Sequence, residues 1–502
     1  MSSRKPAALV LDCGATNVRA ILVDAGGRLL ASASRANAVH PDPGWPGGLI
    51  WDQEEIWAGF CACTRELLSR APEARIAAIT VTTFGVDGAP VHKDGTLLHP
   101  VISWQCGRTR SIQEKIASSI DPLRLFRITG LQSYPFNTLF RLLWFRENRP
   151  GVLEGMDYYA MMPSLFIHRL TGEWLTDVTM AGTSMLTDQS RRTFSEELLA
   201  LAGLDTDRFP PLAEPGTTAG PLLPAAAAEF GLAAGIPVVI AGHDTQFALF
   251  GAGGGPTLPV LSSGTWEILM ARSTPIHLEG LDPAAGITIE FDARPGLCNP
   301  GMMWIASGIL EWLGGLLYSD CGGAERYEKM TGEASLLPPG SEGVGMLPGL
   351  FDSSGLRGVY SGLFPGSTRA HLYRAALEAL AFRARESLTR LEEWGGFRAG
   401  AVICAGGGSK NHLWNRIRAD ILGIPVLVSP VSETTVLGAA MFALAGAGFF
   451  STPEEAARAM QPELTTIEPG ENLSAYVEFL KTYRGLLHHL DKNPAARQES
   501  VS

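Results

Sequence analysis

The stretch Gly242-His243-Asp244-Thr245 has the residue types and the position that proton-transfer chemistry needs. It follows the apolar run Ile236-Pro237-Val238-Val239-Ile240 and precedes Gln246-Phe247-Ala248-Leu249-Phe250, so a short buried strand delivers a carboxylate into a turn before a helix. A carboxylate held there can accept a proton from a bound hydroxyl. The competing reading is a turn in which Asp244 only caps the following helix.

Two other turns have small residues and hydroxyls where backbone amides could cradle an anion. Asp12-Cys13-Gly14-Ala15-Thr16-Asn17 joins two apolar segments near the start, and Ser262-Ser263-Gly264-Thr265 joins two more in the second half. Each could instead be a plain hairpin. The pair suggests a duplicated unit that holds a polyphosphate from both sides. Phe84-Gly85-Val86-Asp87-Gly88 closes a predicted strand over Ile76 to Thr83, a place suited to a sugar or to a simple turn. Further on, Ser103-Trp104-Gln105-Cys106-Gly107-Arg108 brings together an aromatic face, an amide and a guanidinium, which suits a polyhydroxylated ligand; Arg108 could equally form an ion pair. His168 has no completing partners nearby and is assigned to packing. Ala405-Gly406-Gly407-Gly408-Ser409 follows the apolar Ala401-Val402-Ile403-Cys404 and precedes a helix from Asn411, so backbone can approach a flat or anionic ligand such as the adenosine end of a nucleotide. A strand-to-helix turn without a ligand is the alternative. No Gly-Lys dipeptide occurs, so any nucleotide is bound without a Walker A loop.

The elements that must position these residues read as mixed α/β. Strands are predicted over Ala8–Leu11, Val18–Val23 and Leu29–Ser32, and helices over Trp51–Arg70, Gly301–Leu317 and Thr368–Leu391. With 502 residues, of which 46% are apolar and 18% charged, the chain can fill more than one core, and two domains are expected. A net charge of −11 without a long basic run argues against a nucleic-acid surface and for a small-molecule ligand. Seven scattered cysteines point to a reducing cytoplasm. The apolar stretch Val436 to Phe450 is short and interrupted by glycines, which suits a buried helix, and no membrane partner is expected.

These residues together resemble the FGGY family of carbohydrate kinases from about residue 7 to about residue 460. The resemblance rests on Leu9 to Ala20 (LVLDCGATNVRA), Val81 to Ala89 (VTTFGVDGA), Ala241 to Gly253 (AGHDTQFALFGAG) and Leu261 to Met270 (LSSGTWEILM). It rests also on Gly358-Val359-Tyr360-Ser361-Gly362-Leu363 with His371-Leu372 and Ala375-Ala376-Leu377-Glu378.

The resemblance implies an α/β fold of two actin-like (ribonuclease H-like) ATPase domains with a cleft between them. The N-terminal domain would span residues 1–246 and the C-terminal domain 247–492, with 493–502 a disordered tail. It implies phosphorylation of the C1 hydroxyl of a ketose by Mg-ATP, with L-fuculose as first choice and L-rhamnulose, D-ribulose or L-xylulose as alternatives. A sugar- or nucleotide-binding protein without catalysis is the reading from another class. By position, Asp244 matches the proton acceptor, and His243 and Thr245 flank it at the sugar. Gly85, Val86 and Asp87 match the sugar loop, with Trp104 and Arg108 beside it. Asp12 matches the acid that organises magnesium through water, and Ala15, Thr16, Asn17 and Arg19 fall in the first phosphate turn. Gly264 and Thr265 match the second turn, and Gly407, Gly408 and Asn411 the adenosine side. Two positions depart from the common pattern: Ala15, a threonine in many members, and Cys106, often an aspartate. Ketose and ATP are thus the expected partners; homo-oligomerisation is left open.

Overall fold

The computed structural model describes residues 6–348 and 358–491; the tail expected to be disordered lies outside them. The chain forms two compact units. The first comprises residues 1–253, 273–300 and 433–461, the second 254–272, 301–432 and 462–502. The first crossing falls close to the break expected after residue 246, but the chain then returns twice to the first unit.

The first unit is built on a six-stranded sheet. Its strands run in the order Leu29–Ala36, Asn17–Asp24, Pro6–Cys13, Arg75–Thr83, Pro237–His243 and Thr218–Pro221. Pro6–Cys13, Arg75–Thr83 and Pro237–His243 are parallel, and the other pairings are antiparallel. Residues 7–13 are all buried, as the unbroken apolar run of a central strand requires. Register aligns Asp12 with Thr82, Cys13 with Thr83, and Thr83 with His243. The carboxyl ends of the three parallel strands therefore meet at one edge, where open α/β sheets place ligands.

Six strands of a second, seven-stranded sheet run in the order Cys298–Ile305, Trp266–Met270, Val260–Ser263, Val402–Ala405, Val426–Val428 and Thr465–Ile467. Their successive pairings are antiparallel, antiparallel, parallel, parallel and antiparallel. The first sheet has the same series of senses, which agrees with a duplicated unit. Only the last two strands differ, since they occur in the opposite chain order.

The helix predicted over Gly301–Leu317 is corrected in its first part. Gly301 to Ile305 pairs with Met270 to Trp266, and the helix begins at Ser307. The buried indole of Trp304 donates from Nε1 to Glu267 Oε2 at 2.9 Å, on the strand it pairs with. The other predicted helices appear as Gln53–Arg70, capped by Asp52, and Arg369–Gly395, capped by Thr368.

The apolar stretch from Val436 lies in the helix Thr434–Gly446, of which residues 436–444 are buried. It packs in the first unit on the helix Asp244–Gly251. A Cβ on Gly251 would lie 2.0 Å from the Thr434 carbonyl oxygen, and one on Gly438 would lie 2.1 Å from that of Phe247. The two backbones touch because glycine removes the side chains between them. Phe442 closes the contact edge-on against Phe247 and Phe250. The helix that starts at Asp244 is thereby fixed along its length. Among the described residues no helix is long and apolar enough to cross a membrane.

Candidate active site

Asp244 is the first residue of its helix, directly after the strand ending at His243. Thr245 Oγ1 donates to Asp244 Oδ1 at 3.1 Å, and His243 Nε2 lies 3.3 Å from the same oxygen. The side chain remains about one-third exposed at 34%. The strand end beneath it is over-determined. His243 N–H donates to Thr179 Oγ1 at 3.0 Å, and Thr82 Oγ1 donates to the Gly242 carbonyl at 2.9 Å. A Cβ on Gly242 would meet Asp177 Oδ1 at 1.9 Å, so only glycine fits here. Asp177 itself is buried, caps the helix Val178–Thr183, and is pushed up to about 7 by that burial.

Asp12 reaches the same edge from the neighbouring parallel strand pair. Arg19 donates to Asp12 Oδ2 from Nε at 2.9 Å and from Nη2 at 2.6 Å, while its Nη1 donates to Glu433 at 2.7 Å. Burial raises Asp12 to about 6; Arg19 opposes this, and the nearby charges of Asp244 and Glu433 add to it. In the turn that follows, Gly14 N–H donates to the Asn17 carbonyl at 2.9 Å and Asn37 Nδ2 donates to the Gly14 carbonyl at 2.8 Å. Ala15 is half-buried, and Thr16 and Asn17 are exposed. Asp12, Gly14, Thr16, Asn17, Arg19 and Glu433 line a depression of about 720 Å³.

The loop after Thr83 presses against His243. A Cβ on Gly85 would lie 3.0 Å from His243 Nε2. Val86 has φ +67°, the left-handed region that a β-branched residue enters only when its surroundings compel it. Its N–H donates to Thr183 Oγ1 at 3.0 Å, and its carbonyl accepts from Thr138 Oγ1 at 2.6 Å and Arg141 Nη1 at 2.7 Å. Asp87 is completely buried. It accepts from Trp51 Nε1 at 2.7 Å and from the Trp104 N–H at 3.1 Å. Arg141 Nη2 lies 2.7 Å from its other oxygen, at ion-pair distance but without hydrogen-bond alignment. Burial raises Asp87 to about 6 against the pull of Arg141. Trp104 is left 37% exposed, edge-on to Phe136.

In the second unit, the turn at Gly264 and Thr265 follows the strand Val260–Ser263. The Thr265 carbonyl accepts from the Ala306 and Gly308 N–H groups, and the Gly264 carbonyl accepts from Ser307. The Thr265 side chain is exposed. Gly406 has φ +90°, and a Cβ there would lie 2.7 Å from the Ser263 carbonyl oxygen. Gly408 would similarly strike Ser263 Oγ at 2.2 Å, whereas Gly407 faces open space. Asn411 caps the helix His412–Leu422 through the Trp414 N–H at 3.0 Å and donates to the Tyr373 hydroxyl at 3.2 Å. Beneath both turns Glu267 and Arg418 form a buried ion pair. Ser263 Oγ donates to Glu267 at 2.9 Å and accepts from Arg418 Nη2 at 2.9 Å.

The chain matches the N-terminal domain of the FGGY family of carbohydrate kinases over residues 7–251 and the family's C-terminal domain over residues 260–447. This chain belongs to the FGGY family. It is a carbohydrate kinase, and as such takes ATP as a substrate. It is 47% identical to the L-fuculokinase of Escherichia coli K12 over 452 residues, 89% of this chain and 94% of that one. It is 41% identical to the L-fuculokinase of Haemophilus influenzae over 468 residues, 92% and 99% of the two chains. A xylulose kinase structure from Rhodospirillum rubrum is similar at a TM-score of 0.86 and 25% identity, covering 96% of this chain and 98% of that one. The two-domain actin-like ATPase fold expected from the sequence is the fold of this FGGY chain.

Two side chains expected at the ligand, Arg108 and Asp87, are buried against protein partners. Arg108 does not present its guanidinium to solvent: its side chain is 1% exposed, bonded through Nη2 to Asp42 at 2.6 Å and through Nε to Cys106 Sγ at 3.0 Å, and lies over Trp144. Asp87 is enclosed, with Oδ2 held by the Trp51 indole and the Trp104 N–H. Cys106, at the family's frequent aspartate position, points inward and accepts from the Leu49 N–H at 3.3 Å. His168, assigned to packing, stacks on Trp174 at 4.0 Å. Sequence reading missed Glu433, Glu290, Gln246 and Arg141. Glu433 stands just before an apolar helix, where an acid favours the N-terminus, and that was the available signal. Arg141 and Glu290 have no such local mark.

Proposed function

We propose that this kinase transfers the γ-phosphoryl of ATP to the C1 hydroxyl of an open-chain ketose, L-fuculose before others. The sugar is supported by the L-fuculokinases of E. coli and H. influenzae, to which the chain is similar over nearly its whole length. The chemistry rests on one observation above all. Asp244 Oδ1 is engaged by Thr245 and His243 while the side chain stays accessible at the carboxyl edge of the parallel strands.

In this reading Asp244 takes the proton from the C1 hydroxyl as its oxygen bonds to the γ-phosphorus. The bond from that phosphorus to the β–γ bridging oxygen breaks, and ADP leaves. Little covalent work falls to the protein, so positioning and charge stabilisation dominate. Gly85, Val86, Trp104, His243 and Thr245 shape the sugar side, with Trp104 giving an apolar face to the carbon chain or methyl group. Ala15, Thr16, Asn17 and Arg19 serve one phosphate turn, Gly264 and Thr265 the other, and Gly407, Gly408 and Asn411 the adenosine side. Asp12 fits magnesium through water: it is a buried carboxylate with Arg19 on Oδ2, and the ion prefers hard oxygen donors and keeps much of its water. When bound, magnesium would neutralise phosphate charge. A reducing cytoplasm agrees with seven cysteines that are all free.

The test is kcat/KM from coupled ADP release with L-fuculose, L-rhamnulose, D-ribulose, L-xylulose and D-xylulose. L-Fuculose is expected to lead by roughly tenfold or more, since contacts that separate ketoses are worth about 1–3 kcal/mol each. A different leading ketose would overturn the sugar assignment; no ADP release with any of them would overturn the ketose assignment.

A further inference from the structure

We propose that Glu290 is a positioning residue for the reaction: it holds His243 as an imidazolium with Nε2–H directed at Asp244 Oδ1, so that Oδ2 is the oxygen left to take the substrate proton. This rests on the proposed role of Asp244.

The imidazole lies between two carboxylates. His243 Nδ1 is 3.6 Å from Glu290 Oε2, and Nε2 is 3.3 Å from Asp244 Oδ1. Both ring nitrogens thus face acceptors, a geometry that suits the doubly protonated ring, in which both donate. Both contacts are at ion-pair distance without hydrogen-bond alignment, and Nδ1 is buried with no hydrogen-bond partner. The His243 side chain is 12% exposed and that of Glu290 16%, so water screens the pair poorly.

Glu290 is itself held. Gln246 Nε2 donates to its Oε2, and Asn299 Nδ2 donates to Gln246 Oε1. This relay runs from the strand Thr288–Phe291 to the helix that Asp244 begins, and Gln246 is two residues from the base. Gly85 closes the far edge of the ring, where any side chain would press on Nε2.

The charged groups facing His243 are Glu290, Asp244 and Asp177, each on a different element. Burial pushes the imidazole down, but these three carboxylates outweigh it and the net direction is up. A raised histidine carries its charge below its pKa and loses it as pH rises through that value. Removing the Glu290 charge therefore moves the loss to lower pH.

The experiment is an NMR titration of imidazole ¹⁵N resonances in the parent, E290Q and E290D, with His243 assigned by its loss in H243N. It is paired with kcat against pH on the sugar the parent turns over fastest. In the parent, His243 is expected to titrate above the ordinary value of about 6.5. In E290Q it is expected to fall by roughly one pH unit or more, as for loss of an opposite charge within a few ångströms. The alkaline limb of kcat should move down with it, KM for the sugar should change less than about threefold, and E290D should restore much of both shifts. Coincident His243 titrations in the parent and E290Q, or unchanged kcat profiles, would overturn the proposal. Should E290Q fail to fold, E290D against the parent decides it: the shorter carboxylate must lower the titration measurably, and no change overturns the clamp. A raised, Glu290-dependent titration in a protein that phosphorylates no ketose would support the clamp while overturning the role of Asp244 as base.

Discussion

Asp244→Ala is expected to lower kcat by roughly a hundredfold to ten-thousandfold, the range for loss of a positioned general base, while KM for the sugar stays within a few-fold. The asymmetry follows from the geometry. Asp244 Oδ1 accepts from Thr245 and has His243 Nε2 at 3.3 Å, so in the proposed role the carboxylate is oriented before substrate arrives and its work falls in the transition state. Its helix is fixed by the glycine contacts with Thr434–Gly446 and by the Phe442 cluster, none of which involves the carboxylate. The variant should therefore melt close to the parent. Steady-state kinetics with a melting curve checks both parts. Near-parent turnover would remove Asp244 from the chemistry, and a variant that no longer folds would show that it mainly caps its helix.

The largest expected effect on stability is at Glu267. Its carboxylate is completely buried against Arg418, with Ser263 and the Trp304 indole on its oxygens. Arg418 is also buried, stacked 3.5 Å from the Trp414 ring centroid and bonded to Asn415 Oδ1 at 2.9 Å. Glu267→Ala leaves that guanidinium without a counter-charge, which typically costs about 3–5 kcal/mol. In a unit of this size that is a fall in Tm on the order of 10 °C. The pair sits beneath Ser263, on which the Gly406–Gly408 backbone rests. KM for ATP should therefore rise several-fold more than KM for the sugar. Differential scanning calorimetry and two-substrate kinetics measure this; a Tm within a degree or two of the parent would show that the pair contributes little.

Much of the architecture was legible because it obeys simple periodicities. The runs before Asp12 and His243 are continuous and apolar, and the run before Phe84 mixes apolar residues with buried threonines; all three suit parallel central strands. The glycines at 242, 406 and 408 mark close backbone approaches, a sequence signal whose cause, Asp177 or Ser263, appears only in three dimensions. The segment from Gly301 was misread because Gly-Met-Met-Trp-Ile has neither a period of two nor one of 3.6. Its strand state is set by pairing with Trp266–Met270. Glu433 and Glu290 were missed for a related reason: each lies against a residue far away in the chain, Arg19 and His243. Arg108 and Asp87 were read as ligand contacts, with an ion pair as the alternative for Arg108. Their partners Asp42, Arg141 and Trp51 turn both inward, which no local spacing could report.

The most direct measurement is ³¹P and ¹H NMR of the product formed from L-fuculose, ATP and Mg²⁺ by the parent protein. A phosphomonoester coupled to the two C1 methylene protons, formed in step with ADP, is the expected result. ADP accompanied only by inorganic phosphate, or a phosphoryl group on any secondary hydroxyl, would contradict C1 phosphorylation with Asp244 as the proton acceptor.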